Sequence, residues 1–332
     1  MSAGSVEVVV VPGSVVVVVD DVVVVLWATS AAGSARTKTT VKAMRPATAS
    51  GRIQRPYLGS SLLTGVSIGR KPAPARPWPG RPQGRYPAGM DLRGRVAVVT
   101  GGAVRVGRAI ALGLAGAGAD VFVHFNSSPD AAGETAAAIE ALGVRAHTCS
   151  ADLADPEAAK ALIEAATAAL GRPTVLVNSA SGFPEDSIAD VTPERLERTL
   201  RLTLMGPVFA TQAFAAGLGD GEEGAVVNVT DVRTRSPYRR HFSYILAKGG
   251  VDTLTRAAAV ALAPRIRVNA VALGVILPPA GEDDAYLESL AATLPLARAG
   301  GTAPVVAAVL HLLQNDFITG EIVRIDGGGH LT

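Results

Sequence analysis

From residue 95 onward, short apolar runs alternate with stretches whose apolar positions recur every three or four residues. The runs are RVAVVT (95–100), DVFVHF (120–125), TVLVN (174–178), GAVVNV (224–229), IRVNAVAL (266–273) and EIVRID (321–326), with a weaker one, VRAHTC, at 144–149. Runs that are continuously apolar, rather than alternating, predict strands covered on both faces. RAIALGLAGAG, AAGETAAAIEALG and PEAAKALIEAATAALG lie between them with helical spacing. Strand–helix alternation of this kind predicts an α/β domain over residues 90–332, a parallel sheet with helices on both faces.

Residues 1–89 have another texture. VEVVVVPGSVVVVVDDVVVVL consists of valine runs broken by Pro12-Gly13 and Asp20-Asp21, too short for a membrane span of roughly 18 apolar residues. No positive residue precedes them, so a signal peptide fits poorly. Residues 70–87 hold six prolines and predict extended chain. This stretch is expected to be a disordered, low-complexity extension without a fold of its own, with Met90 as the natural start. An arginine-rich leader or an interaction arm are the other readings.

Charge changes the picture only at the front. The chain carries 31 Lys+Arg and 29 Asp+Glu, a net +2, but residues 22–90 contain eleven of the basic residues and no acid. The remainder is acidic, so the basic balance does not argue for nucleic acid. The single cysteine, Cys149, precludes an intramolecular disulfide and reads as buried filler; a cytoplasmic protein is expected.

VAVVTGGAVRVGRAIALGLA (96–115) is a strand, a glycine-rich turn and a helix. Gly101, Gly102 and Gly107 let backbone approach a phosphate, and the helix start offers unpaired amides to it. The acidic residue that NAD enzymes place after the second strand is missing. In its place VHFNSSPD supplies His124, Asn126, Ser127 and Ser128, and Arg105 stands in the turn. A guanidinium with hydroxyls suits a 2′-phosphate, so NADPH is expected in preference to NADH.

TDVRTRSPYRRHFSYILAK (230–248) holds the candidate chemistry. Tyr244 and Lys248, four apart, share one helix face. An ammonium beside a phenol lowers its pKa from about 10, which makes Tyr244 a candidate general acid. Asp231, thirteen residues earlier, has two readings: a carboxylate at the reacting site or a strand-end acid that caps a turn. At the site it would repel the developing charge on a ketone oxygen, whereas a nitrogen heterocycle offers it hydrogen-bond donors.

These residues together resemble the short-chain dehydrogenase/reductase family from about Leu92 to Leu331. The tyrosine–lysine motif is Tyr244 to Lys248, and the glycine turn is Thr100 to Gly107. ADL places Asp152 where the family holds the adenine, and VNSAS (177–181) stands where NNAG is common. Within the family the chain resembles pteridine reductases and dihydromonapterin reductases. Arg105 in the turn, NSASGF (178–183), Asp231 in place of serine, the ending DGGGHLT and VNAVALGVILPPAGEDD (268–284) carry that narrower likeness.

The resemblance implies a Rossmann-type, doubly wound, seven-stranded parallel sheet. It implies an NADPH-dependent reductase of a dihydropterin or dihydrofolate-like ring, with Tyr244, Asp231, Lys248 and Thr203 as catalytic positions. Beyond the residues already named, cofactor contacts are implied for Val106, Leu153, Asn178, Ser179, Ala180, Ser181, Gly274 and Ile276. Substrate contacts are implied for Ser181, Asp231, Tyr244 and Phe183, the last stacking on the pterin. A homotetramer through helices 192–218 and 244–263 is implied, with His330 reaching a neighbour's site; no metal, nucleic acid or membrane is. Thr203 replaces the family's supporting asparagine, Ser179 an asparagine and Leu273 a proline. A carbonyl reductase acting on a 3-oxoacyl thioester or sugar ketone, and a catalytically impaired NADP-binding regulatory protein, are the rival readings.

Overall fold

The structure, a computed structural model, describes residues 89–279 and 281–332, together with the backbone of four segments nearer the N-terminus. The chain divides into two compact units, Met1–Arg81 and Pro82–Thr332. In the first, Val6–Val11, Ser14–Val19, Val22–Trp27 and Thr40–Met44 pair in that order, antiparallel, into a four-stranded sheet. Consecutive valine runs pair because β-branched side chains favour strand backbone. The other expectations for residues 1–89, including the proline-rich residues 70–87, fall outside the described residues.

The second unit is the α/β domain. Its strands are β1 (Val96–Thr100), β2 (Asp120–Phe125), β3 (Ala146–Ser150), β4 (Pro173–Asn178), β5 (Gly224–Asp231), β6 (Ile266–Leu273) and β7 (Ile322–Ile325). All seven pair in parallel, in the order β7-β6-β5-β4-β1-β2-β3. Every residue of β1, β4 and β5 is buried, as their continuous apolar runs require. The edge strand β3 is only half-buried, which explains its weak sequence signal.

Two apolar layers sandwich the sheet. One packs α1 (Arg105–Gly116), α2 (Pro129–Glu140) and α8 (Ala303–Gln314) through Ile110, Leu114, Ile139, Val309 and Leu313, while α7 (Asp284–Ala291) follows β6. The other packs α3 (Pro156–Leu170), α5 (Gly206–Gly217) and α6 (Phe242–Leu262) through Leu162, Phe214 and Ala258. Strand order reverses between β1 and β4, and the carboxyl ends of the strands open a crevice there. Among the described residues no helix is long and apolar enough to cross a membrane.

The helix expected over 192–218 is interrupted. It runs as α4 (Pro193–Leu200), one π turn at Arg201–Met205, then α5. A π turn inserts an extra residue into the helical ladder and re-aims the downstream helix. Thr203 lies in that turn, buried at 1% exposure. Cys149 is half-buried rather than fully buried, and partial desolvation raises its thiol pKa.

Candidate active site

A cavity of about 680 Å³ runs from the glycine turn to the end of β5. At its nucleotide end Gly101 has φ +63°, a conformation that favours glycine. A methyl group on Gly107 would meet the Gly101 carbonyl oxygen at 2.0 Å, so the turn closes only without it. No side chain caps α1, and the first-turn amides of this twelve-residue helix face the cavity beside Arg105, Val106 and Gly107. Asn126, Ser127 and Ser128 line the same end and carry no acid among them. These free amides, hydroxyls and the absent carboxylate fit a phosphorylated dinucleotide.

His124, Asn178 and Asp152, expected as cofactor contacts, have other engagements. The His124 imidazole is buried, accepting from the Gly101 amide at Nδ1 (3.0 Å) and paired through Nε2 with the Ala151 carbonyl (3.0 Å). It therefore ties the glycine turn to the end of β3, and burial lowers its pKa so that it stays neutral. Asn178 points into the core, donating to Asn228 Oδ1 (2.9 Å) and Thr211 Oγ1 (3.3 Å). The Asp152 carboxylate pairs with Arg198 of α4 at 2.6 Å, and that bond lowers its pKa; its neighbours Ala151 and Leu153 are the ones that face the cavity. A polar side chain at a strand end takes whichever partner the next layer presents, and that partner is remote in sequence.

Arg105 occupies the left-handed region (φ +53°) and donates from Nη2 to the Pro278 carbonyl across the cavity. It thus links the glycine turn to the segment after β6. There Gly274 crosses the C-terminal segment so closely that a Cβ would lie 2.7 Å from that of Asp326. Ile276 is buried beside it. Ser179 and Ala180 donate their amides to Thr100 Oγ1 (2.9 and 3.0 Å), which fixes the floor of the cavity.

The substrate end lies at the end of β5. Asp231 is its last residue and pairs in register with Leu273 of β6. Tyr244 and Lys248 lie in the first two turns of α6, both buried. The Tyr244 hydroxyl donates to Asp231 Oδ2 at 3.0 Å. The other carboxylate oxygen accepts from the Arg233 amide at 2.7 Å. Asp231 therefore caps the turn and faces the cavity at once, one oxygen for each task.

The electrostatics correct one expectation. Lys248 donates to the Val229 carbonyl (2.7 Å), and its ammonium lies 5.7 Å from the Tyr244 ring centre. Burial, then the Asp231 charge, raises the Tyr244 pKa well above 10 instead of lowering it. Burial likewise raises the Asp231 pKa against the pull of the Arg233 amide and Tyr244. For the lysine, burial is the main cause, and it lowers the pKa to about 8. Thr203 bonds to Ser181 (Oγ–Oγ1 3.3 Å), and Ser181 also donates to the Gly182 carbonyl.

Phe183, Tyr238 and Arg233 complete this end of the cavity. Phe183 meets the Tyr244 ring edge-on at 4.7 Å, and the Arg233 guanidinium lies 5.3 Å from the Tyr238 ring centre. Tyr238 and His241, which stacks on Phe183, were missed in the sequence. Their only signal was their place in the loop just before the helix that carries the tyrosine–lysine motif. His330 bonds to Asp326 of its own chain (2.7 Å), so its one contact here is internal.

A family model described as enoyl-(acyl carrier protein) reductase matches residues 102–330. The chain belongs to the short-chain dehydrogenase/reductase family. This short-chain reductase is similar to L-rhamnose 1-dehydrogenase (NAD(P)(+)) of Sphingomonas sp. (strain SKA58), 33% identical over 71% of this chain and 96% of the relative. It is similar to L-xylulose reductase of Bos taurus at 34%, over 72% of this chain and 98% of the relative. Among solved structures it resembles FolM alternative dihydrofolate reductase 1 from Brucella canis, complexed with NADP. That match has 35% identity and a TM-score of 0.69, covering 73% of this chain and 97% of the other.

Proposed function

We propose that this short-chain reductase is an NADPH-dependent reductase of a pterin-type ring, dihydropterin or dihydrofolate-like. The observation that carries the reading is the 3.0 Å bond from Tyr244 to a buried Asp231 inside the cavity. The likeness to the FolM structure and its NADP supports it. NADPH, when bound, supplies the hydride taken up by the carbon of a ring C=N bond.

The protein's own residues manage the proton. Tyr244 gives its hydroxyl proton to the ring nitrogen as that nitrogen gains electron density. A bare phenolate beside a carboxylate would be unfavourable; with Asp231 protonated, the Tyr244–Asp231 bond reverses, and the acid passes its proton to Tyr244 as the phenol's own goes to the ring. Burial raises the Asp231 pKa, so its protonated share is larger than that of an exposed carboxylate. Lys248 holds positive charge behind the pair, and Thr203 braces Ser181. Phe183 and Tyr238 offer flat surfaces to a heteroaromatic ring.

A carbonyl reductase is the second reading, favoured by the two sugar-acting relatives. NADPH consumption measured side by side with dihydrobiopterin, dihydromonapterin, dihydrofolate, an acetoacetyl thioester and L-xylulose separates them. Turnover confined to the last two would defeat the pterin reading, and cofactor binding without any turnover would leave the regulatory one. The protein is a homotetramer in this proposal; exposed Leu246 and Val260 on α6 support a covered face, and sedimentation equilibrium tests it.

A further inference from the structure

His241 has no part in the proton chemistry, yet it is held in an unusual way. It is the residue preceding α6 and lies in the left-handed region (φ 63°, ψ 39°), uncommon outside glycine. Its Nδ1 lies 2.9 Å from the Pro184 carbonyl, the acceptor there, so Nδ1 carries the hydrogen. That bond places its ring flat on Phe183, with centres 3.8 Å apart and planes 16° apart.

The contact is one strand of a clasp. The Phe242 amide donates to the Asp186 carbonyl (3.2 Å), and the Ser243 amide to the Asp186 carboxylate (3.0 Å). Ser243 Oγ donates to the same carboxylate, which is fully buried. Pro184 and Asp186 follow Phe183 closely on the loop after β4, so that loop is bolted to the first turn of the helix carrying Tyr244. Phe183 is nevertheless 45% exposed and lines the cavity. One of its faces is covered by His241, and its plane stands perpendicular to the Tyr244 ring with centres 4.7 Å apart.

We propose that His241 is a positioning residue: by stacking on the rear face of Phe183 it fixes that ring as a one-sided platform for a planar substrate. Because His241 and Tyr244 share a helix turn, the platform and the proton donor keep a constant spacing. The role in substrate binding rests on the pterin reading above; the hold on Phe183 does not.

The test compares His241→Ala, His241→Asn and His241→Phe in the full chain. Asparagine tolerates the left-handed backbone and keeps an N–H donor but not the ring, whereas phenylalanine keeps the ring. The alanine and asparagine variants are expected to raise KM for dihydrobiopterin about three- to tenfold, the range an aromatic pair supports, with kcat and the KM for NADPH little changed. The phenylalanine variant stays closer to the parent than either. In an F183W background, acrylamide quenching above that of the native Trp27 and Trp78 should increase when His241→Ala is added.

An unchanged KM in His241→Ala, parental behaviour of His241→Asn, or unchanged quenching each overturns the proposal. If no form of the protein, parent included, reduces a pterin, the functional reading falls. The quenching comparison then still decides whether His241 holds Phe183.

Discussion

The two ends of the cavity are built on different principles. At the nucleotide end, backbone does the work: a glycine turn, uncapped amides, and one neutral histidine that ties the turn to the sheet. At the substrate end the work falls to buried ionisable side chains, Asp231, Tyr244 and Lys248, whose pKa values burial shifts away from those in water. Backbone amides cost little to preorganise and bind any phosphate. Buried charges are costly and specific, because each must be offset by a named partner. A common cofactor with a particular substrate calls for this division.

The largest effect that would break this contrast is expected from Tyr244→Phe. Loss of a positioned general acid should lower kcat roughly 10³-fold, with NADPH binding unchanged by fluorescence titration. A variant that keeps most of its activity would remove Tyr244 from the chemistry.

Next comes Asp231→Ser, expected to lose about 10²-fold in kcat/KM for a dihydropterin while sparing a simple ketone. An unaltered substrate profile would make the carboxylate a turn cap alone.

The pH dependence sharpens the same point. Activity should fall in two stages as pH rises, first as Asp231 ionises above the ordinary carboxylate range, then through about 8 as Lys248 loses its charge. Asp231→Ser should remove the first stage and leave the second. For stability the Lys248 sign is opposite. Its folded value lies below its unfolded one of about 10.5, so its contribution grows as pH climbs from about 8 to 10.5.

The smallest effect belongs to the nucleotide end. His124→Ala leaves the Gly101 amide unpaired and should cost about 1–3 kcal/mol in chemical denaturation, with a several-fold rise in KM for NADPH. The parent, whose histidine is held below its usual value of about 6.5, loses stability as pH falls below that point, since the unfolded chain then binds more protons. The variant should lack this slope.

Much of this molecule was legible in local pattern. Apolar runs placed all seven strands, the weak one at 144–149 included, and the spacing of Tyr244 and Lys248 put both in one cavity. The π turn at Arg201–Met205 was not legible, because RLTLM has ordinary helical composition. Asp231 was legible as a choice between two roles, and the structure puts one oxygen on the Arg233 amide and the other on the Tyr244 hydroxyl.

The sequence alone determined the order of strands in the α/β domain, the glycine turn and the identity of the ionisable trio. All three come from short-range periodicity or from residue types that few other chemistries need. Tertiary structure decided where polar side chains aim: His124 and Asn178 inward, Asp152 onto Arg198, His241 onto Phe183. It also decided the sign of the Tyr244 shift. Burial and a hydrogen-bond partner depend on which elements pack together, and no periodicity along the chain encodes that.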